Sequence, residues 1–287
     1  MKTFLPFILS MAIFGTIGVV VRPIGLSSSE RAFWSSLIGS IFLSIILLLM
    51  KKRIHSTFIF RHAGILLLSA IALSGNWIFL YQSYDYTSIS NATLAYYFAP
   101  VFVLLLAPFL LKEAWTVKKV LCIIIALFGM ILIVSASFNS STEEQLGLLY
   151  GFTAAAFYAM LMLVNKFIPE IDKLELTVIQ LTLAAIVLGI YVSLTDGFHI
   201  ATLNTQTLPF IFILGVVNTG IGFWLFFIGM DGLKGQSIAM LSYVDPLVAI
   251  VISAWLLQEP MTVTQLMGAV LLLGSTLISE LKFKKRI

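Results

Sequence analysis

The sequence is poor in charge, cysteine and histidine, and each shortage excludes something. Only 10% of its 287 residues are Asp, Glu, Lys or Arg, whereas about a quarter are charged in soluble domains, so a soluble fold is excluded. The one cysteine, Cys122, lies in an apolar stretch and cannot form an intrachain disulfide. The three histidines (His55, His62 and His199) fall between the apolar stretches, on both sides of the predicted membrane.

Motifs for catalysis and nucleotide binding are also missing. The sequence contains no HExxH zinc motif, no Gly-x-Ser-x-Gly elbow, no paired intramembrane aspartates and no Walker A loop. We therefore expect no enzyme, no catalytic residue, no metal site and no bound cofactor. Coupling to protons or sodium is left open.

Apolar residues dominate instead: 60% of the chain is hydrophobic, and its mean hydropathy is +1.06. A membrane-spanning helix needs about 20 apolar residues. The sequence predicts an all-α integral membrane protein with ten transmembrane helices. The predicted spans are Phe4–Val21, Ala32–Met50, Ala63–Tyr81, Ile89–Leu111, Val120–Ala136, Leu146–Val164, Leu176–Leu194, Leu208–Ile228, Ser237–Leu257 and Val263–Leu281.

The positive charges predict how these spans are oriented. With both termini cytoplasmic, fifteen of the seventeen Lys and Arg residues fall on the inner side, and only Arg22 and Arg31 lie outside. The high pI, near 9.1, is therefore attributed to these loop charges. We expect a lipid bilayer as a partner and no nucleic acid. We expect no cleavable leader, because Met1-Lys2 runs into a full-length span without a small-residue cleavage pattern.

The two halves of the sequence resemble each other at a shift of 146 positions. The shift aligns Asp85 with Asp231, Tyr97 with Tyr243, Pro100 with Pro246 and Glu113 with Glu259, without a gap. We predict two five-helix repeats, residues 1–140 and 141–287. Since five is an odd number, the second repeat is inverted in the membrane. Inverted repeats place a solute site near the midplane where the halves meet.

These features resemble the EamA-type members of the drug/metabolite transporter superfamily over essentially the full chain. The resemblance rests on Ser90-Asn91-Ala92 leading to Tyr97-Phe98-Ala99-Pro100, and on Gln236-Ser237-Ile238-Ala239 leading to Tyr243-Val244-Asp245-Pro246. Ala99 departs from the acidic or polar residue that typically precedes the proline. The resemblance implies secondary transport of small metabolites, often export, without ATP. Members handle amino acids, sugars, nucleosides, amines and drugs.

Asp245 and Arg31 are the charged candidates for a solute site. Asp245 lies near the middle of the ninth predicted span, where a carboxylate is costly unless it is solvated or paired. It could bind a proton, a cation or an amine; alternatively, it pairs with a neighbouring helix and stabilises a bend at Pro246. Arg31 could attract a solute carboxylate or pair with Asp245 or Glu30; alternatively, it snorkels to the outer headgroups.

Buried amides, hydroxyls and aromatic rings complete the predicted site, because they need partners that a wet pocket or a solute supplies. The further substrate-binding candidates are Asn76, Asn91, Tyr96, Tyr97, Asn218, Trp224, Ser237 and Tyr243, with Pro100 and Pro246 as hinges. Trp77, Tyr81, Tyr84 and Tyr86 are assigned instead to the interfacial aromatic belt. Glu113 and Glu259 are expected to be structural, and Thr262 to Gln265 fits a capping box.

The function predicted from these observations is secondary active transport of a small amphipathic metabolite by alternating access. An amino acid or amine, exported across the plasma membrane of a bacterium, is the leading expectation. A channel, or a structural or signalling membrane protein, is the alternative. A monomer is expected to suffice, and a dimer is left open.

Overall fold

The chain folds as a bundle of helices, and a computed structural model describes residues 4–52, 55–112, 116–136, 141–195, 197–199, 205–230, 241–259 and 261–280. In chain order the helices are α1 Phe4–Gly15, α2 Ile17–Val21, α3 Ser28–Leu49, α4 Ser56–Arg61, α5 Ala63–Tyr86, α6 Ile89–Tyr96, α7 Ala99–Leu110, α8 Val117–Ala136, α9 Thr142–Asn165, α10 Lys173–Leu194, α11 Leu208–Phe212, the π-helical segment Ile213–Ile221, α12 Gly222–Met230, α13 Val244–Leu256 and α14 Val263–Glu280. The described residues contain no β-strand, which confirms the all-α class.

Within the described residues, seven helical segments are long and apolar enough to cross a membrane: 28–49, 63–86, 89–110, 117–135, 142–165, 173–194 and 208–229. Three shorter apolar helices, Phe4–Gly15, Val244–Leu256 and Val263–Ser275, fall where the sequence predicts the first, ninth and tenth spans. Several helices begin earlier than predicted because polar residues form their first turn. Ser27, for example, accepts a hydrogen bond from the backbone N–H of Glu30, so α3 begins at Ser28.

In the described residues, four of the predicted spans are interrupted. The first is interrupted at Thr16, between α1 and α2, and the fourth at Tyr97-Phe98, between α6 and α7. Pro100 follows the second interruption and has no N–H to continue the helical ladder. The eighth widens into a π-helix at Ile213–Ile221, a conformation often found at functional sites. The ninth is interrupted by a turn at Tyr243, between helical residues 241–242 and α13. At the first and fourth spans the backbone pairs there through shorter i→i+3 hydrogen bonds, from the Thr16 N–H to the Ile13 carbonyl oxygen and from the Phe98 N–H to that of Ala95.

Helices of the two halves pack against each other in matched pairs. The contacts join α3 with α10, α5 with α9, α8 with α14, α1 with α12, and α6 with α13. Close backbone approach needs glycine at several crossings. A Cβ added to Gly129 would lie 2.8 Å from the carbonyl oxygen of Gly268, and one added to Gly215 would lie 2.4 Å from the Cβ of Ile38. The glycines of the eighth span therefore serve tight packing.

The bundle has two ends, which we call the Arg22 end and the Lys52 end after a residue at each.

The positive-φ residues of the described chain form two pairs: Lys51 with Gly197, and Lys112 with Gln258. Members of each pair are 146 positions apart, the shift that aligns the two halves of the sequence. The turns that follow corresponding helices therefore adopt the same left-handed backbone, although only one of the four residues is glycine.

Candidate functional site

The candidate site lies where the interrupted fourth span meets α13. The Tyr97 hydroxyl, at the end of α6, donates a 2.6 Å hydrogen bond to Oδ2 of Asp245, in the first turn of α13. Both side chains are half-buried. α1 also packs here, since a Cβ on Gly15 would lie 2.6 Å from the Asp245 carbonyl oxygen. Two of the predicted site residues, one from each half, are thus in direct contact.

Tyrosine side chains surround this carboxylate. Tyr84 from α5, Tyr96 from α6 and Tyr158 from α9 all lie close enough to Asp245 for their hydroxyl groups to interact electrostatically with its carboxylate. The rings of Tyr96 and Tyr158 stack with centroids 5.2 Å apart, and Tyr96 meets Tyr97 edge-on at 5.9 Å. Aromatic faces around a carboxylate favour a cationic group through the ring quadrupole. Among the described residues, no Lys, Arg or His forms an ion pair with Asp245.

Several buried polar atoms in the described part of the chain have no hydrogen-bond partner. They include the indole N–H groups of Trp34 and Trp224, Oδ1 of Asn218 and the hydroxyl of Ser90. Buried polar atoms are nearly always paired with protein, water or ligand. Trp224 and Asn218 were both predicted from the sequence as substrate-binding residues. Of their polar atoms, Oδ1 of Asn218 and the indole N–H of Trp224 are without a protein partner in the described residues.

The other predicted amides and Tyr243 take defined positions. Nδ2 of Asn76 donates to the carbonyl oxygen of Ala154 at 3.0 Å and so joins α5 to α9. Nδ2 of Asn218 donates to the carbonyl oxygen of Ile13 at 2.8 Å, at the interruption of the first span. Tyr243 is the cap residue directly before α13, two positions before Asp245. Ser237 lies outside the described residues, as does Glu113.

The structure assigns Arg31 a partner that the sequence analysis did not consider. Its guanidinium makes a bidentate contact with the carboxylate of Asp85, with Nη1 to Oδ1 at 2.9 Å, and a further hydrogen bond to the Val21 carbonyl oxygen. Arg31 is only 1% exposed, so the snorkelling interpretation is wrong. Pairing with Asp245 or Glu30 is also wrong. Both residues of the pair were noted from the sequence, but nothing in it connected them.

Asn91 belongs to a polar network at the Arg22 end. Its Nδ2 donates to Oε1 of Glu144, and its Oδ1 accepts from Nε2 of Gln265, both at 3.0 Å. It lies six residues before Tyr97, or about 9 Å along a helix. The network joins α6 to α9 and α14. The structure therefore gives Asn91 protein partners and does not bring it to the Asp245–Tyr97 contact.

Glu259 forms a second polar network at the same end. Its carboxylate pairs with Arg22, accepts the backbone N–H of Ile89 at 2.9 Å and accepts the hydroxyl of Ser253. It thereby joins the end of the first span to the start of α6 and the end of α13. The expected capping box is confirmed, with Thr262 N–H donating to Gln265 at 2.7 Å and Gln265 N–H to Thr262 at 3.2 Å.

The interfacial-belt assignment is wrong for three of its four aromatic residues. Trp77, Tyr81 and Tyr84 are 8%, 1% and 5% exposed and belong to the core, whereas Tyr86 is exposed. Tyr84 and Tyr158 are the tyrosines near Asp245 that the sequence analysis left out. The helical spacing from Trp77 through Tyr81 to Tyr84 could have indicated one buried face.

The predicted hinges sit beside the site. Pro100 lies in the first turn of α7, directly after the Tyr97-Phe98 interruption, and Pro246 follows Asp245 in the first turn of α13. Pro100 is thus next to an observed interruption of the helix. Residues 231–240 lie outside the described residues. Movement at either proline stays a prediction.

The fold and site together define a class: a multi-pass membrane protein of apolar helices, with polar groups between two matched halves. These groups include Asp245, a carboxylate that has no cationic partner among the described residues. Comparison with known proteins gives the family. The sequence profile described as EamA-like transporter family matches this chain twice, at residues 1–135 and 145–280. The chain belongs to the EamA-like transporter family. It carries two EamA-like repeats and is a multi-pass protein of the cell membrane.

Individual relatives agree with this family. An uncharacterized transporter, YxxF of Bacillus subtilis (strain 168), is 31% identical over 85% of this chain and 78% of its own length. An uncharacterized transporter of Archaeoglobus fulgidus is 26% identical over 95% of this chain and 94% of its own length. One solved crystal structure superposes with a TM-score of 0.67, covering 96% of this chain and 97% of that chain at 14% identity, which shows a shared fold.

Proposed function

We propose that this protein is a secondary active transporter that moves a small amphipathic organic amine by alternating access. In this proposal ten spans form two inverted repeats, both termini are cytoplasmic and the Arg22 end faces outward. Asp245 is the carboxylate that binds the ammonium group. The observation that carries the proposal is the Tyr97–Asp245 hydrogen bond between the two halves. It lies beside repeated prolines, where inverted-repeat transporters hold their solutes.

The distribution of charge supports an amine over an amino acid. A zwitterionic amino acid needs a cation for its carboxylate, but Arg31 is paired with Asp85 and Arg22 with Glu259. Asp245 is bonded to an uncharged hydroxyl and has no cationic partner among the described residues. A carboxylate in that setting is costly unless it is protonated or meets a cation. An aromatic or alkyl amine satisfies the carboxylate and packs against the tyrosine rings.

The networks at the Arg22 end support a conformation closed on that side. Glu259 and Asn91 each join helices from both halves there. Arg22 is 38% exposed in its side chain, so it can return to water when the pair separates. Opening at this end therefore needs few buried charges to move. Export would load the solute from the opposite end and release it here.

The test compares three aromatic solutes that differ in charge. Purified protein is screened by thermal shift with phenyltrimethylammonium, phenylalanine and phenylacetate, and counterflow of each is then measured in proteoliposomes. Phenyltrimethylammonium carries a fixed positive charge and crosses lipid poorly by itself. We expect stabilisation and saturable counterflow with the ammonium solute and none with phenylacetate. Flux that is proportional to concentration without counterflow would favour a channel.

A variant of the carboxylate decides whether Asp245 binds the amine. Asp245→Asn removes the negative charge at nearly constant volume, and we expect it to weaken ammonium binding by about tenfold or more, as for loss of one buried charge pair. Glu143→Gln, an exposed acid at the start of α9, is the matched control and should bind normally. Equal affinity in wild type and Asp245→Asn would reject the amine site. Repeating counterflow at varied pH and sodium tests ion coupling.

A further inference from the structure

Two histidine–glutamate contacts, one at each end of the bundle, link a glutamate in the first turn of α3 or α10 to a histidine in the segment that follows the other helix. At the Lys52 end, the backbone N–H of His55 donates to Oε1 of Glu175 at 2.6 Å, and the ring Nδ1 lies 3.1 Å from both carboxylate oxygens. At the Arg22 end, the backbone N–H of His199 donates to Oε1 of Glu30 at 2.7 Å, and Nδ1 lies 3.1 Å from Oε2. We call these contacts the two His–Glu clamps.

The clamps are built in the same way. Glu30 is the third residue after the helix cap Ser27, and Glu175 is the third residue after the helix cap Asp172. In a capping box, a glutamate at this position turns back to the cap's own N–H. Here each carboxylate reaches instead to a histidine that follows the other helix.

The turns that deliver the histidines also correspond. Lys51, after α3, and Gly197, after α10, both have left-handed backbones, with φ of 57° and 70°. These residues are 146 positions apart, the shift between the halves. The clamp residues themselves lie at slightly smaller shifts, 145 positions for the two glutamates and 144 for the two histidines, and each half supplies one glutamate and one histidine.

Burial makes the clamps costly to separate. The side chains of Glu30 and Glu175 are 0% and 3% exposed, so each carboxylate would lose partners inside the bundle if α3 and α10 moved apart. The exposed pair Lys52–Asp172, at 2.6 Å, adds a further link at the Lys52 end. The basic partner is partly exposed in all three contacts, since His55 is 71%, His199 50% and Arg22 38% exposed. The difference lies in the acid, because Glu259 is 14% exposed against 0% and 3% for the clamp glutamates.

We propose that α3 and α10 stay fixed against each other throughout the transport cycle and form the axis about which the other helices move. The inference rests on the proposed alternating-access function. Two clamps at opposite ends prevent both separation and tilting, whereas one clamp would leave a pivot. The Arg22–Glu259 contact, in this proposal, breaks and re-forms in each cycle.

Paired cysteines and a short bis-methanethiosulfonate cross-linker test this axis. Because Cys122 is the only native cysteine, Cys122→Ala gives a cysteine-free background. Three pairs are introduced separately: Glu30→Cys with His199→Cys, Lys52→Cys with Asp172→Cys, and Arg22→Cys with Glu259→Cys. Lys52 and Asp172 are both 40% exposed, so that pair serves if loss of buried Glu30 prevents folding.

Counterflow of phenyltrimethylammonium is measured before cross-linking, after cross-linking and after reduction. We expect cross-links at 30–199 and 52–172 to leave counterflow unchanged. We expect the 22–259 cross-link to abolish it and reduction to restore it. Reversible loss of counterflow with the 30–199 or 52–172 cross-link would overturn the fixed axis while leaving transport intact.

Spin labels at the same cysteine pairs give a readout independent of flux. A fixed axis predicts one narrow distance distribution at 52–172, with or without phenyltrimethylammonium, and a distribution at 22–259 that shifts when the solute is added. A shift at 52–172 would overturn the axis. Absence of counterflow from the protein before cross-linking would overturn the transport proposal, and the label distances would still decide whether α3 and α10 move.

Discussion

Two of the seams between the halves, α3 with α10 and α6 with α13, differ in where they place their polar groups. The seam between α3 and α10 has its charged contacts at both ends, where Glu30 and Glu175 accept hydrogen bonds from His199 and His55. The seam between α6 and α13 has one charged contact at its Arg22 end, where Glu259 accepts from Arg22 and the Ile89 N–H, but it also holds the half-buried Asp245 against Tyr97. The first seam pairs its buried acids with protein groups, whereas Asp245 in the second has no cationic partner among the described residues.

This difference indicates that the α3–α10 seam stays closed and that the α6–α13 seam binds the solute. A buried carboxylate with several protein donors resists separation, because every lost donor costs free energy. A carboxylate with one neutral donor gains from an incoming cation or proton. Stability is therefore concentrated at the ends of the α3–α10 seam, and binding capacity in the middle of the α6–α13 seam. The predictions below test that division.

The largest loss of stability is expected at the Arg31–Asp85 pair, next to the Glu30–His199 clamp. Asp85→Leu leaves the guanidinium of Arg31 buried without a counter-ion, which we expect to cost about 3–5 kcal/mol of stability. Thermal unfolding in detergent measures the loss. The double variant Asp85→Leu with Arg31→Met should recover much of it. If the single and double variants unfold alike, Arg31 is stabilised by something other than Asp85.

The next effect compares the two clamps. Glu30→Ala and Glu175→Ala each remove the acceptor of a backbone N–H and a histidine, and we expect each to cost about 1.5–3 kcal/mol, as for hydrogen bonds to charged groups. Similar losses in thermal unfolding would support two equivalent clamps. Glu143→Ala, at an exposed acid, is the control. A loss at only one clamp would contradict a symmetric axis.

A smaller effect, on solute affinity, is expected at the α6–α13 seam. Tyr97→Phe removes the hydroxyl that donates to Asp245 and should weaken phenyltrimethylammonium binding by about 0.5–1.5 kcal/mol, the net value of one hydrogen bond. Thermal stability should change little. Isothermal titration of wild type and variant measures the difference, with Tyr86→Phe, an exposed tyrosine, as control. Unchanged affinity would remove Tyr97 from the site.

The smallest effect lies away from both seams, at the cap of α14. Thr262→Ala removes the acceptor for the Gln265 N–H and should cost about 1 kcal/mol of stability without changing solute affinity. Unfolding and titration on the same sample check both statements. A change in affinity would show that α14 is coupled to the solute site, contrary to the division between the seams.

Much of this architecture could be predicted from local pattern. Apolar runs give the helices, and Pro100 marks the interruption in the fourth span, because hydrophobicity and proline act on nearby backbone. The capping box at Thr262 is equally local. Asp245 and Tyr97 were predicted separately from their depth in the spans and their repeat positions. Their direct contact was not, since it joins residues 148 positions apart.

The missed contacts share a long-range origin. Arg31 with Asp85 joins two helices, and Glu30 with His199 and Glu175 with His55 each join a helix to a loop residue far away in the sequence. A glutamate three residues after a helix cap predicts an ordinary capping box. Only packing against another part of the chain redirects its carboxylate. Trp77 and Tyr84 resembled interfacial residues because they lie toward the end of a span, yet helix packing buries them.

The sequence by itself determined the membrane environment, the helices and the internal repeat, because hydrophobic length, loop charge and recurring residues are properties of short segments. Only the tertiary structure decided which charges are neutralised and which carboxylate stays without a cation. That outcome depends on how separate helices rotate and pack against each other. In this protein the packing occupies Arg31 with Asp85 and leaves Asp245 to a tyrosine hydroxyl.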